Sequence, residues 1–402
     1  MNNKVLAAAI GLAGVLTAHQ ALAVPFSSFD PRSFAMGGAG VAAATSANAV
    51  FFNPALLAAA NEDEDFSVDL LGGVRAADPD ELIDAVDNFS ANNSIQVFST
   101  AITNYNPSNT TPIENAAAQL IADLQSISNK AVQLEVDAGL VIGVPNKNLG
   151  VSVYVNGWGV GGSIAEATQA DLDAINQVVT DVTSSQAPTD PTNTLTSSIS
   201  ARFAVITETG VAVAKDFNGY AVGITPKYVK VTTNDYQFIG NQIDNADIDM
   251  SQGEATDSNF NLDIGVARDL GNGLKAGLAI KNLLSQEYTT VLNNKIKIDP
   301  MARIGGVYQN SWTTVAVDLD LTENDPGGFD TVTQFLAVGA EFDLFDTAQL
   351  RLGVRHNLSD TPYESDTLSA GIGLSPFGAH LDISVAGNAD EVGAALQLGF
   401  RF

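Results

Sequence analysis

Nine charged residues stand at mostly alternating positions between residues 318 and 401: Asp318, Asp320, Glu341, Asp343, Arg351, Arg355, His380, Asp382 and Arg401. Alternation along a strand places such side chains on one face. Charges turned inward together must pair, because an isolated buried charge is too costly. The set therefore predicts an ion-pair network that brace an inner wall and docks whatever fills the space inside it. A selectivity filter is the second chemistry open to these groups. Catalysis is disfavoured, since no nucleophile is accompanied by an oriented base.

Other constellations carry less. Asp318, Asp320, Glu323, Asp325 and Asp330 are rich in carboxylate oxygen but lack the spacing of an EF-hand, so solvation of a loop explains them better than a calcium site. Loosely held divalent cations bridging acidic loops to lipopolysaccharide phosphates remain compatible with them. The absence of cysteine excludes disulfides and thiolate metal sites. Of the three histidines, His19 lies in the leader, which leaves too few for a multi-histidine metal site. His356 has outward parity near a loop and is given no role. Gly271 to Gly273 form a hairpin turn rather than a phosphate loop, because no helix follows. No cofactor and no metal is expected.

The elements that must hold these groups begin with a leader. Residues 1–23 combine Lys4, an apolar run over 5–18 and the triplet Ala21-Leu22-Ala23, the three parts of a secretory signal. Residues 24–61 form an expected hatch or plug: small apolar side chains, glycines at 37, 38 and 40, then Phe51, Phe52 and the turn Asn53-Pro54-Ala55. Within it Met36, Gly37, Gly38, Phe51, Phe52, Asn53, Pro54 and Ala55 are the candidate hatch and ligand residues. Residues 62–402 are the expected barrel.

Period-two alternation runs through that last part. Leu134, Val136, Ala138, Leu140, Ile142 and Val144 face one way, and Gln133, Glu135, Asp137, Gly139 and Gly143 the other. Residues 197–217 keep one parity throughout and predict a single long strand. About fourteen strands follow in all, an even number suited to a transmembrane antiparallel β-barrel. Short and long connections alternate, as expected for turns on one side of a membrane and loops on the other. Helical spacing at 78–90, 113–130 and 165–183 places helices in two external loops, the stretch between the first two being an Asn/Ser/Thr-rich connection. Trp158, Tyr288, Tyr308 and Trp312 suit interfacial aromatic girdles. The last strand is apolar on alternate positions and ends at Phe402.

The pattern R-x-x-x-M-G-G-A-x-V-A over 32–42, F-x-N-P-A over 51–55 and the later Val222-Gly223-Ile224-Thr225-Pro226-Lys227-Tyr228 resemble the FadL-like outer-membrane barrel superfamily, nearest to the barrel family named conjugal transfer protein TraF. The resemblance implies fourteen strands, an N-terminal hatch, and a place for Asn53, Pro54 and Ala55 beside a hydrophobic ligand. The terminal Phe402 resembles the signal read by the barrel-assembly machinery. The external loops lack a Phe/Leu-rich segment comparable to a capture groove.

Two functions follow, neither of them enzymatic. One is a passive channel for small hydrophobic molecules; the other is a non-transporting surface or assembly barrel that serves as a platform for secreted proteins. Expected partners are outer-membrane lipid and lipopolysaccharide, the assembly machinery, and a hydrophobic small-molecule ligand. The expected location is the outer membrane of a Gram-negative bacterium. A formal charge of −28 excludes nucleic acid as a partner.

Overall fold

A computed structural model describes residue 26 and residues 29–59, 66–245, 253–324, 332–345, 347–359 and 366–401. The leader, the acidic run 61–65, Asp325, Asp330 and Phe402 lie outside the described residues. The strands are β1 (Ser67–Ala77), β2 (Lys130–Val144), β3 (Gly150–Glu166), β4 (Ser198–Phe217), β5 (Tyr220–Ile239), β6 (Glu254–Gly271) and β7 (Leu274–Lys281). After them come β8 (Gln286–Thr289), β9 (Lys295–Ile298), β10 (Met301–Gln309), β11 (Thr313–Asp320) and β12 (Phe335–Leu344). The chain ends with β13 (Ala348–Asn357), β14 (Thr367–Leu374), β15 (Ala379–Gly387) and β16 (Glu391–Arg401). All but β8 and β9 close into one antiparallel barrel of fourteen strands, with β1 paired to β16.

The wall follows from the alternation. Leu134, Val136, Leu140, Ile142 and Val144 of β2 stand exposed on the outside, while Gln133, Glu135 and Asp137 are buried inside. This is the inverse of a water-soluble barrel and suits an outer face turned to hydrocarbon. Residues 198–217 form one strand, as their parity requires. The ladder between β4 and β5 lapses at Thr225 and Pro226, opposite Val211 and Ala212. Pro226 has no N–H to give there.

Three features depart from the expected elements. The connection between the first two helices itself contains a helix, Ser94–Thr103, whose Ile95, Phe98 and Ile102 are buried. With helices Leu82–Asn92, Thr111–Ile127 and Gln169–Thr183 it builds an outer cap around Phe89, Phe98, Leu120, Leu124 and Ile175. The 282–299 loop holds the β8–β9 hairpin. Trp158 and Tyr288 do not join a girdle: both are buried, at 5% and 3% exposure, in a cluster with Ile206, Val229, Val231 and Ile298. The even positions of β3 face the lumen, so Trp158 points in. Tyr308 and Trp312 are exposed, as a girdle requires.

Candidate functional site

The lumen is filled by the N-terminal segment. Asp30 caps the short helix Pro31–Ala35, accepting from Ser33 N (3.0 Å) and Ser33 Oγ (2.6 Å). The chain then turns through Gly37 at φ 73°, a left-handed conformation that suits glycine. It runs on through Ala49–Phe52 to the 3-10 helix Pro54–Ala58, and Val41, Phe52, Ala55 and Leu57 are buried along the way. Asn53 fixes the bend. Its Nδ2 donates to Val41 O (2.9 Å) and Val266 O (3.1 Å), and its Oδ1 accepts from Ala55 N (3.1 Å).

Close approach is made possible by the wall. A Cβ on Gly265 of β6 would lie 1.9 Å from Asn53 Oδ1, and one on Gly353 of β13 would lie 2.2 Å from Gly37 N. Gly223, Gly277 and Gly339 meet the hatch in the same way. Hatch glycines were the expected means of close packing; lumen-facing wall glycines do much of it.

The late strands hold the hatch by charge. Arg32 forks onto Glu341 through Nε and Nη2, both at 2.8 Å. Arg351 Nε donates to the same carboxylate (2.6 Å) and also bonds Asp382. Asp318 accepts the N–H groups of Gly40 (2.7 Å) and Val41 (2.9 Å). Asp320 takes Arg303 at 2.5 and 3.1 Å, and Arg303 donates to Gly38 O (3.2 Å). His380 pairs with Asp69 at 2.6 Å. Asn48 links Asp30 (2.7 Å) to Gln397 (2.9 Å).

Nearer the outer end, Glu391 receives Arg355 (2.9 Å) and Arg75 (3.3 Å), and Arg75 also bonds Glu135. Thus seven of the nine expected network residues make ion pairs or dock the hatch. Asp343 and Arg401 instead line a polar cavity of about 230 Å³ beneath it and make no ion pair among the described residues. Asp318 and Asp320 are committed to the hatch and to Arg303, while Asp325 and Asp330 of the same carboxylate-rich stretch lie outside the described residues. His356 pairs at the surface with Asp366 (2.5 Å).

The early wall carries a second network that the sequence reading did not single out. Lys227 Nζ lies between Glu208 (2.9 Å) and Asp263 (3.0 Å), and Tyr154 donates to Glu208 (3.3 Å). Arg32 and Lys227 both lay within motifs noted in the sequence. Their inward partners were the signal that could have marked them as ions.

Between hatch and loops lies a narrow recess of about 40 Å³, bordered by Phe29, Phe34, Gly37, Gly38, Phe335 and Ala337 together with paired charges. Of the candidate hatch residues, Gly37 and Gly38 border it. Met36, Phe51, Phe52, Asn53, Pro54 and Ala55 pack elsewhere against the wall. The β8–β9 hairpin folds toward the barrel's inner surface. Thr290 Oγ1 and Asn294 Nδ2 donate to Asp235 (2.6 and 2.8 Å), and Tyr288 accepts from Asn259 (3.3 Å).

In the outer cap, burial raises the Asp171 carboxyl, but bonds from Ser197 and Thr196 outweigh that and hold it below the usual carboxylate range. There Ser197 Oγ donates at 2.5 Å and Thr196 N at 2.8 Å.

The family described as "F plasmid transfer operon, TraF, protein" matches residues 50–320. No curated protein matches the sequence. Among solved structures, a TodX deltaS2S3 mutant monoaromatic hydrocarbon channel is similar at TM-score 0.55 and 10% identity, covering 92% of this chain and 98% of that one. The P. putida toluene transporter TodX follows at 0.53 and 10% identity, covering 94% and 99%. The Ralstonia pickettii toluene transporter TbuX also scores 0.53, at 12% identity, covering 94% and 99%. At such identities these likenesses establish the fold alone: a FadL-like barrel.

Proposed function

The chain belongs to the F plasmid transfer operon TraF protein family, and from that premise we propose that it is an outer-membrane channel passing small hydrophobic molecules. The observation that carries this reading is the apolar layer packed between the hatch, the inward hairpin and the wall. Phe29 and Phe34 belong to it, as do Trp158, Val229, Val231, Tyr288 and Ile298. A general hydrophilic pore has no use for such a layer. The named functions of the similar barrels, hydrocarbon channels and toluene transporters, support the same reading. Charges bordering the recess are already paired, so a neutral ligand leaves no counter-ion unmet.

The way out is a lateral one beside Pro226. There the β4–β5 ladder lapses, and three residues before it Gly223 meets hatch residues Pro54 and Ala55. The polar cavity below the hatch is a poor route for an apolar solute. The apolar exterior supports an outer-membrane location, and the expected leader agrees with it. Lipid and lipopolysaccharide would surround the wall, and the assembly machinery would read the end of the last strand. One observation favours a platform for secreted proteins instead: the helical cap has an apolar core of its own.

Uptake of labelled toluene by cells expressing the barrel tests the channel. A rise over matched cells that do not make the barrel supports it. Equal, background uptake in both contradicts it.

A further inference from the structure

The recess on the outer side of the hatch is too small for an aromatic ring. At about 40 Å³ it has room for a few waters at most, and its lining comes from the hatch, β1, β2, β10 and β12 to β16. None of it comes from β3 to β7. Along β3 to β5 the lumen is filled instead by the β8–β9 hairpin. Tyr288 and Ile298 are buried there in one cluster with Trp158, Ile206 and Val231, near the midpoints of those three strands. A solute larger than the recess therefore needs something to move on the outer side as well as at the hatch.

The hairpin is the element least tied to the barrel. Its strands pair with each other and with no strand of the wall. An isolated two-stranded ribbon is marginally stable at best and depends on what it packs against. Its base is fixed to β6: Leu283 N donates to Leu262 O (2.9 Å), Leu284 N donates to Asn261 Oδ1 (3.0 Å), and Asn261 Nδ2 donates to Leu284 O (2.9 Å). Ser285 and Asp299 close that base with a hydrogen bond between their side chains.

The far end is held by one carboxylate. Asp235 Oδ2 accepts from Thr290 Oγ1 (2.6 Å) and Asn294 Nδ2 (2.8 Å), the two residues that bracket the turn. Between base and tip a single longer bond, from Asn259 to Tyr288 (3.3 Å), reaches the wall among the described residues. Base, arm and tip thus have the parts of a hinge, a lever and a latch. We propose that the β8–β9 hairpin is an outer gate distinct from the hatch, latched at Asp235, and that solutes enter when the arm swings off β3 to β5 about its base on β6. This rests on the channel reading and adds its moving part on the outer side. Ions need less: with the hatch gone they pass along the late wall, which the hairpin does not cover.

The sequence has no cysteine, so one introduced thiol reports without background. Val231→Cys places it on the wall under the arm, where Val231 is 1% exposed. Whole cells making the full chain would be treated with a membrane-impermeant maleimide and the rate of labelling followed. Thr290→Val with Asn294→Ala removes both latch donors and leaves Asp235 its Arg202 neighbour at 3.6 Å. We expect slow labelling at Val231→Cys and about tenfold faster labelling once the latch donors are gone, the worth of hydrogen bonds to a charged group. Ala212→Cys, buried in the separate cluster around the hatch, should stay slow in both backgrounds. Val97→Cys, exposed on the cap, sets the unhindered rate.

No labelling at Val231→Cys in either background, or a rate the latch variant leaves unchanged, would overturn the gate. Equal quickening at Ala212→Cys would also overturn it, since that marks general loosening. Toluene uptake by the same cells judges the channel separately: uptake with an unlabelled Val231→Cys leaves the channel without this gate, and faster labelling with background uptake overturns the channel the gate would serve. If Val231→Cys does not reach the membrane, Val229→Cys on the same face takes its place.

Discussion

The two sides of the lumen hold the same hatch by different means. On β11, β12 and β16 the wall's polar groups reach out to it: Asp318 takes the N–H groups of Gly40 and Val41, Glu341 takes Arg32, and Gln397 takes Asn48. On β4 to β6 the charges pair among themselves, as Lys227 does with Glu208 and Asp263, and the hatch is received by glycines and buried Asn53. The first kind of contact can be undone one ion pair at a time. The second is a matter of shape and fails all at once when volume is added. Glycines seat the hatch on the late wall too, at Gly339 and Gly353, and what sets that side apart is the set of charged contacts that can be released singly.

The largest effect should come from spoiling the seat. A Cβ at Gly223 would lie 2.4 Å from Ala55 N and from Pro54 C, both backbone atoms that cannot swing aside. Gly223→Leu should therefore unseat the hatch, with single-channel conductance in planar bilayers approaching that of the barrel without it. A closed Gly223→Leu barrel would break the comparison.

Undoing the clasp comes next. Arg32→Ala removes a fork from the largely buried Glu341, which Arg351 still partly neutralises. Loss of docking energy of order 3 kcal/mol is expected, below the full cost of stranding a buried charge. It should appear as brief openings on an otherwise closed trace. Asn53→Ala loses three hydrogen bonds at the bend, about 2 kcal/mol net, and should give a smaller, steadier leak.

The smallest effect lies away from both walls and serves as a control. The Asp171 carboxyl is held below its usual range, so its contribution is present above the unfolded value, about 3.9, and is lost as pH falls through the folded one. Amide exchange at Thr196 and Ser197 should quicken in that acid window in the wild type. Asp171→Asn should be pH-independent there, with conductance unchanged in both.

How legible this was in the sequence varied with the kind of contact. Outward Leu134 to Val144 and the single strand over 198–217 were visible because side-chain parity survives in one dimension. Charges at Asp318, Glu341 and Arg351 were visible for the same reason, since inward parity forces pairing. Gly223, Gly265 and Gly353 were not, because a glycine has no side chain to declare a face and its meaning depends on what lies opposite. Ile95, Phe98 and Ile102 do carry helical spacing, but the polar Asn92-Asn93-Ser94 before them suggested a loop. Asn293-Asn294 in the hairpin was a turn signal, with Asn293 at φ 63°, flanked by strands only four residues long. Trp158 looked like a girdle residue by type, and only its even position on β3 places it inside.

The most direct test of the account is conductance of the barrel lacking residues 24–60. Reconstituted in planar bilayers at matched insertion, it should be persistently open to ions while the intact protein stays nearly closed. A deleted barrel that inserts normally and remains as closed as the intact one would show that this segment is not the plug.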